Sequence, residues 1–219
     1  YFSLLWAPMV HSGGDGVGGP MAFLPQLSQL NLAASVAVVN AAGAVGVGST
    51  ARIKWPNDVW AGSPKRKLSG TILNFDGKEA AVLGVGINVA QDLSANATAT
   101  SLQTLSNQLN NDESKVVERE AVLAAFCGEL ERLMSLSPAA VLDEYSRVDL
   151  LKGRTVRVHH KTREETDERD FDALALGVSA EGALRVRPLE PPNAAVRELS
   201  GEEVSISPLN LEAQPKEEL

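Results

Sequence analysis

The sequence predicts an α/β (α+β) protein in which a mixed sheet with helices is followed by a small β-barrel-like unit. Three observations lead there. Up to about residue 150, strand-like apolar runs are interspersed with long helix-like ones. The pair Asp76-Gly77 joins two apolar runs as a hairpin turn, which argues against an all-parallel sheet. Beyond Leu151 the texture changes to short strand-like runs separated by turn residues. The division is therefore 1–150, 151–208 and a charged tail at 209–219.

Tyr1–Trp6 is aromatic and aliphatic and reads as a buried strand already under way, so further residues are expected upstream. His11–Pro25 is a glycine- and proline-dense loop. Leu27–Ala44 is apolar all round, a buried helix entered through Pro25 or Ser28 and ended by Gly43, Gly46 and Gly48. Arg52–Trp55 is a short strand; Lys67–Phe75 and Ala80–Val89 form the hairpin. Ala95–Asn111 is polar and irregular apart from a short piece near Ser101–Leu105. Glu118–Met134 is an amphipathic helix with Val122, Ala125, Phe126, Leu130 and Leu133 near one face. Ser137-Pro138 supplies an N-cap and a proline at the first helical position for a helix ending near Val148. Thr155–His160, Phe171–Val178, Leu184–Arg187, Val196–Leu199 and Glu203–Ile206 are the strands of the second unit. The charged run Lys161–Asp170 is a solvated loop or hairpin tip, and Pro215–Leu219 a frayed end.

Bulk composition narrows the function classes. The chain has 219 residues, 44% of them hydrophobic, enough for a packed core. A formal net charge of −8 argues against general nucleic-acid binding, which needs a cationic surface. The one cysteine, Cys127, rules out an intrachain disulfide and reads as a buried structural thiol in a helical pattern. Ala33–Gly48 is too short and too rich in alanine and glycine for a membrane span, and no signal-peptide pattern opens the chain. The cytoplasm is the expected compartment.

Three clusters carry candidate chemistry. Lys54-Trp55-Pro56-Asn57-Asp58 places a lysine, an amide and a carboxylate around a proline that stiffens the turn. Such a set can serve a polyphosphate and its magnesium; an ordinary polar turn with local hydrogen bonds is the other reading. Lys67 stands at a loop–strand junction, with Gly70 leaving room for a ligand against the backbone. A lysine there can stabilise charge on a carboxylate attacking a phosphate, or it can belong to a solvated basic loop with Lys65 and Arg66. Gly84-Val85-Gly86-Ile87-Asn88 puts two bare backbone patches on one side of a strand and ends on an amide that offers donor and acceptor. A flat ring could lie there, or a helix could pack closely.

Lys54–Asp58, Lys67–Gly70 and Gly84–Asn88, in this order and spacing, resemble the central motifs of the biotin protein ligases. Tyr1–Trp6 resembles the strand before that family's long helix, Ala99-Thr100-Ser101-Leu102 a segment after its sheet, and Tyr145 with Leu150–Gly153 the join to its C-terminal domain. The resemblance covers nearly the whole chain. It implies a class II synthetase-like catalytic domain followed by an SH3-like β-barrel. It also implies the ligands biotin, ATP and Mg2+, with a biotin carboxyl carrier domain of a carboxylase as partner. Biotin's carboxylate would attack the α-phosphate of ATP, and a carrier lysine would then take the biotinyl group from biotinyl-AMP. By the same resemblance Lys67 contacts the biotin carboxylate and α-phosphate, and Lys54 and Asn57 meet phosphates. Asp58 organises the turn or acts near the carrier lysine, and Asn57 and Asp58 are the candidate magnesium contacts. Gly70, Gly84 and Gly86 pack on biotin, Asn88 on adenine, and Trp55 stands among the ligand-binding residues. A homodimer is one assembly open to such a protein; nucleic acid and membrane are not expected partners.

The chain departs from the family in places. The family's glycine–arginine-rich loop precedes the strand with which this chain opens, and Ser12–Gly19, which holds no arginine, resembles an insertion. Ser207-Pro208 stands where some relatives carry an arginine. The 219-residue chain is therefore expected to fold but to ligate poorly. Gly14, Gly16 and Gly19 fit a dinucleotide-binding spacing, but Pro20 and Pro25 stand where its helix should begin. His159-His160 point to opposite strand faces and chelate poorly. A lipoate ligase or octanoyl transferase, or a catalytically silent module that holds biotin or a carrier domain, are the alternative functions.

Overall fold

Two antiparallel sheets, each with its own apolar core, organise the chain. The computed structural model describes residues 1–6, 24–75, 80–111, 114–161, 170–201 and 204–209. The loop Ser12–Gly19, the turn Asp76-Gly77, most of the run Lys161–Asp170 and the tail Pro215–Leu219 lie outside them.

The first sheet has the order β1-β5-β4-β3-β2, from β1 (Phe2–Trp6), β2 (Arg52–Lys54), β3 (Asp58–Ala61), β4 (Arg66–Phe75) and β5 (Ala81–Ile87). Ile53, Val59, Leu68, Leu83 and Val85 are buried on one face. Helix α1 (Leu24–Ala44) lies against that face. Being apolar all round, it is enclosed by the sheet and by α3 (Arg119–Met134) and α4 (Pro138–Val148). Its alanines 33, 34, 37 and 41 are buried. Asn40, polar in this setting, is satisfied by donating to Glu129 Oε2 at 2.9 Å. By length and composition Leu27–Ala44 could cross a membrane; here it is a core helix, mostly buried.

Pleat alternation leaves the other face of this sheet open. Ile72 and Val82 stand out from it beside Gly70, Gly84 and Gly86. Every pairing between named strands is antiparallel, where the sequence suggests a mixed sheet. The physical reason is that β2 to β5 follow one another as adjacent hairpins, while β1 docks on β5. Parallel character is confined to the isolated bridges Ile53–Asp149 and Lys67–Ala99.

Two elements differ from the sequence reading. Asp58–Ala61 is a strand, β3, paired on both sides rather than only the exit of a turn. Leu102–Asn110 is a full helix, α2, capped by Ser101, whose side chain accepts from Thr104 N. α4 begins as the sequence predicts, with Ser137 accepting from Ala140 N and Pro138 in the first turn. Cys127 is exposed, not buried. It follows Phe126, which turns the buried face of α3 inward and leaves the next residue about 100° round the helix.

The second sheet has the order β10-β6-β7-β8-β9, from β6 (Thr155–His160), β7 (Phe171–Val178), β8 (Leu184–Pro188), β9 (Arg197–Leu199) and β10 (Val204–Pro208). Its core is Leu151, Val156, Val158, Ala173, Ala175, Leu184, Val186 and, from the first sheet's β2–β3 turn, Trp55. The join is fixed by Leu150 N donating to Ile53 O at 2.8 Å.

Candidate functional site

The three sequence clusters meet on the open face because the strand register aligns them. Asp58 pairs with Gly70, and Gly70 with Gly86. One row across β3, β4 and β5 therefore runs from a carboxylate over two residues without side chains. At its far end the Tyr1 ring lies on Gly86: a Cβ there would sit 2.5 Å from Tyr1 Cε1. A Cβ on Gly70 would lie 3.2 Å from Asp58 Oδ1 and 3.3 Å from Lys67 Nζ, so the charged pair crosses directly over that glycine. Gly84 is different. A Cβ there meets only ordinary contacts, 3.7 Å from Ile72 O. Packing among the described residues does not demand a glycine at 84.

Lys67 Nζ and Asp58 Oδ1 are 2.6 Å apart, with 47% and 21% of their side chains exposed. A pair this open is worth only about 0–1 kcal/mol, so Lys67 can be drawn to a stronger anion at little cost. Its backbone is held firmly. Lys67 N donates to Thr98 O and Lys67 O accepts from Thr100 N, each at 2.9 Å. A β-bulge between Val59 and Trp60 shifts the register beside it.

Asn88 supports that clamp. Its Nδ2 donates to Thr100 O at 3.0 Å, and its backbone N to Leu68 O at 3.0 Å. The donor of its amide is thus engaged within the protein. Among the described residues Oδ1 accepts from the exposed Gln91 side chain alone, at 3.4 Å. Asn57 is similarly committed: its amide donates to Thr71 O, and its own carbonyl accepts from Thr71 N at 2.9 Å.

These residues line a cleft of about 550 Å3 with Tyr1, Asn57, Asp58, Lys67, Gly70, Gly86, Asn88 and Ala99 among its walls. That volume suits a small organic ligand. Tyr1, Thr71 and Ala99 were not singled out as site residues. Ala99 sits in the one polar stretch that pairs with Lys67, but that pairing is long-range and leaves no local mark.

Two expected residues stand apart. Lys54 pairs with Asp58 across the β2–β3 turn, but its ammonium lies over the Trp60 ring, 5.4 Å from the centroid, beside the cleft. Burial lowers its pKa, Asp58 opposes that shift and Lys67 adds to it. Trp55 does not line the cleft. It is 2% exposed, sits in the core of the second sheet, and donates from Nε1 to Gly182 O at 2.9 Å. Strand alternation sends it away from Lys54 and into the neighbouring unit.

Among the described residues no three His, Cys, Asp or Glu side chains gather around one point. Asp58 offers one carboxylate. That fits a magnesium carried mainly by phosphate oxygens and water, not a metal held by protein alone. His159 serves its sheet: Nδ1 meets Asp170 Oδ2 at 2.9 Å and Nε2 meets Ser207 Oγ at 3.2 Å.

The fold has counterparts among solved structures. Biotin protein ligase from Aquifex aeolicus superposes with a TM-score of 0.67 at 21% identity, over 94% of this chain and 80% of that one. The chain has the biotin protein ligase fold. The same Aquifex ligase in complex with biotin and ATP matches at a TM-score of 0.61, 21% identity, over 82% of this chain and 71% of that one. A biotin protein ligase-like protein of unknown function from Silicibacter sp. matches at 0.58 and 12% identity, over 90% and 76%. The biotin protein ligase fold thus also occurs in a protein whose activity is open. No family model matches the sequence.

Proposed function

We propose that this chain is a biotin protein ligase that activates biotin with ATP and transfers it to a lysine of a biotin carboxyl carrier domain. The observation that carries this reading is the Lys67–Asp58 pair set across Gly70, in register with Gly86 under the Tyr1 ring and beside the uncrowded backbone of Gly84. A ring system needs such a floor, and a carboxylate meeting a phosphate needs a mobile cation at its edge.

ATP supplies an electrophilic α-phosphate and a leaving group. Lys67 leaves Asp58 and draws the biotin carboxylate and the α-phosphate together, neutralising charge as it grows. Gly84, which no side chain crowds, and Gly70, once Lys67 has moved off it, accept the flat face of the ligand, and Gly86 does so when the Tyr1 ring that covers it swings aside. Asn88 fixes the 98–100 segment behind Lys67, and its Oδ1 remains to accept from the adenine amino group. Asp58, released by Lys67, is free to meet a phosphate-bound magnesium with Asn57 beside it, or the ammonium of the incoming carrier lysine. Lys54 adds positive potential beside the phosphates rather than a direct contact.

Isolation of the intermediate tests this reading. With biotin, ATP and magnesium, biotinyl-AMP should form at the enzyme and pass its biotinyl group, slowly in the 219-residue chain, to a carrier lysine. Formation of a lipoyl or octanoyl product instead would move the chain to that neighbouring chemistry. Biotin binding without any adenylate would make it a silent binder.

A further inference from the structure

The outer face of the second sheet carries a chain of polar side chains that the cleft on the first sheet does not use. Strand alternation sends Val156, Val158, Val204 and Ile206 into the core and turns Arg157, His159, Ser205 and Ser207 outward. The register then brings three strands together. Val158 pairs with Phe171, so His159 meets Asp170 at the next step. Ser207 pairs with Arg157 on the edge strand β10 and lies diagonal to His159. His159 Nδ1 is 2.9 Å from Asp170 Oδ2, and its Nε2 is 3.2 Å from Ser207 Oγ. Asp170 Oδ1 accepts from His160 N at 3.3 Å, which orients the carboxylate.

These bonds brace the sheet, and they also set a carboxylate, an imidazole and a hydroxyl in line. With Asp170 accepting the Nδ1 proton, Nε2 keeps a lone pair directed at the Ser207 hydroxyl. Exposure is graded to match: the Asp170 side chain is 15% exposed, that of His159 38%, and Ser207 is open to solvent. A brace alone would use neither the arginine beside Ser207 nor the cavity beside Asp170. Arg157, cross-strand neighbour of Ser207, gives Nη1 to Asp172 at 2.9 Å, and its guanidinium fork has further N–H donors to meet an oxygen that gains charge. The cavity, of about 300 Å3, is walled by Arg157, Asp170, Phe171, Asp172, Leu189 and Glu190. Its size suits a small molecule. Phe171 and Leu189 offer apolar contact, and three carboxylates against one arginine disfavour an anion.

We propose that Ser207, His159 and Asp170 form a second reaction centre, one that hydrolyses small uncharged esters. It lies on the second sheet and does not depend on the ligase reading of the first. Ser207 Oγ bonds to the ester carbonyl carbon as its proton passes to His159 Nε2. The carbonyl electron pair moves onto oxygen, where Arg157 meets it. On collapse the bond from carbon to the leaving oxygen breaks, and that oxygen takes the proton from His159. Water then repeats the sequence on the Ser207 ester, which releases the acid and restores the hydroxyl. Asp170 is a positioning residue: it holds the imidazole in the tautomer that accepts from Ser207.

Two probes test this on the whole 219-residue chain without biotin or ATP: p-nitrophenyl acetate and an alkyl fluorophosphonate. The ester should turn over, and the fluorophosphonate should attach to Ser207, as read by peptide mass. Ser207→Ala should abolish that attachment and cut hydrolysis by about a hundredfold or more. Ser207 stands exposed on an edge strand, so this variant should keep the wild-type melting temperature. His159→Gln should slow labelling and hydrolysis by a similar factor. Asp170→Asn should slow both, and Asp170→Glu should recover part of the loss, whereas a carboxylate that only braced the strands would move the melting temperature and leave the labelling rate of the folded protein alone. Hydrolysis that survives Ser207→Ala overturns the proposal. So does a fluorophosphonate that leaves Ser207 unmodified or attaches equally well in His159→Gln; the three side chains are then a brace between strands and nothing more.

Discussion

Replacing Asp149 with Asn should make the protein more stable at neutral pH. Asp149 stands where α4 ends and the second unit begins. Its Oδ1 accepts from Leu151 N at 2.8 Å, but Oδ2 is buried without a hydrogen-bond partner, as is the hydroxyl of Tyr145. Burial raises the Asp149 pKa from 3.8 to about 6, against the pull of the Leu151 and Lys152 amides and the Lys152 ammonium. Burial likewise raises Tyr145, and the Asp149 charge adds to it. Between those two values of Asp149 the native state holds more proton than the unfolded chain. This residue's contribution therefore falls as pH rises from about 4 to about 6, and the loss persists above that. At 1.36 kcal/mol per pH unit the penalty is about 3 kcal/mol, an upper figure. Asn keeps the acceptor for Leu151 and carries no charge. Urea unfolding of both proteins from pH 4.5 to 8 is the assay. The variant should gain up to about 3 kcal/mol at pH 7.5, and the gain should shrink towards zero at the acid end. A difference that stays flat with pH would refute the reasoning.

Lys67→Ala should cut biotinyl-AMP formation about a hundredfold, the cost of losing one fixed charge-stabilising group, and leave the melting temperature nearly unchanged. Gly70→Val should weaken biotin binding and displace the Lys67–Asp58 pair, because a Cβ there already meets both charged groups; calorimetry reads the first effect. Trp55→Ala should cost about 3–5 kcal/mol in urea unfolding, since it empties the core of the second sheet, while the folded fraction keeps its biotin affinity. Asn88→Ala should raise the ATP requirement more than the biotin requirement in adenylation kinetics; an equal rise for both would assign Asn88 wholly to bracing the 98–100 segment.

Elements whose signals are local were legible in the sequence. Ser137-Pro138 opens α4, and the apolar spacing of Val122, Phe126, Leu130 and Leu133 gives the buried face of α3. β6 and β7 follow period-two alternation. The strand β3 was hidden because four residues between a proline turn and a bulge offer too short a pattern. α2 was hidden because its sequence is polar, with Leu102 and Leu105 as its buried apolar anchors. The site divides in the same way. Lys67, Asp58, Gly70, Gly86 and Asn88 could be named from their motifs, but the row Asp58–Gly70–Gly86 exists only through pairing across three strands. Trp55 misled because Asn57 and Asp58, two and three residues further on, line the cleft while its own ring packs into the second unit. That coupling between the two sheets carries no sequence signature.

Biotin-dependent exchange of labelled pyrophosphate into ATP is the most direct measurement of the central claim, that this cleft joins a carboxylate to the α-phosphate of ATP. It reports the reversible first step alone and needs no carrier domain. Exchange that requires biotin and magnesium, and that falls about a hundredfold in Lys67→Ala, is the expected result. Exchange that proceeds equally without biotin, or that is unaltered by removing Lys67, would contradict it.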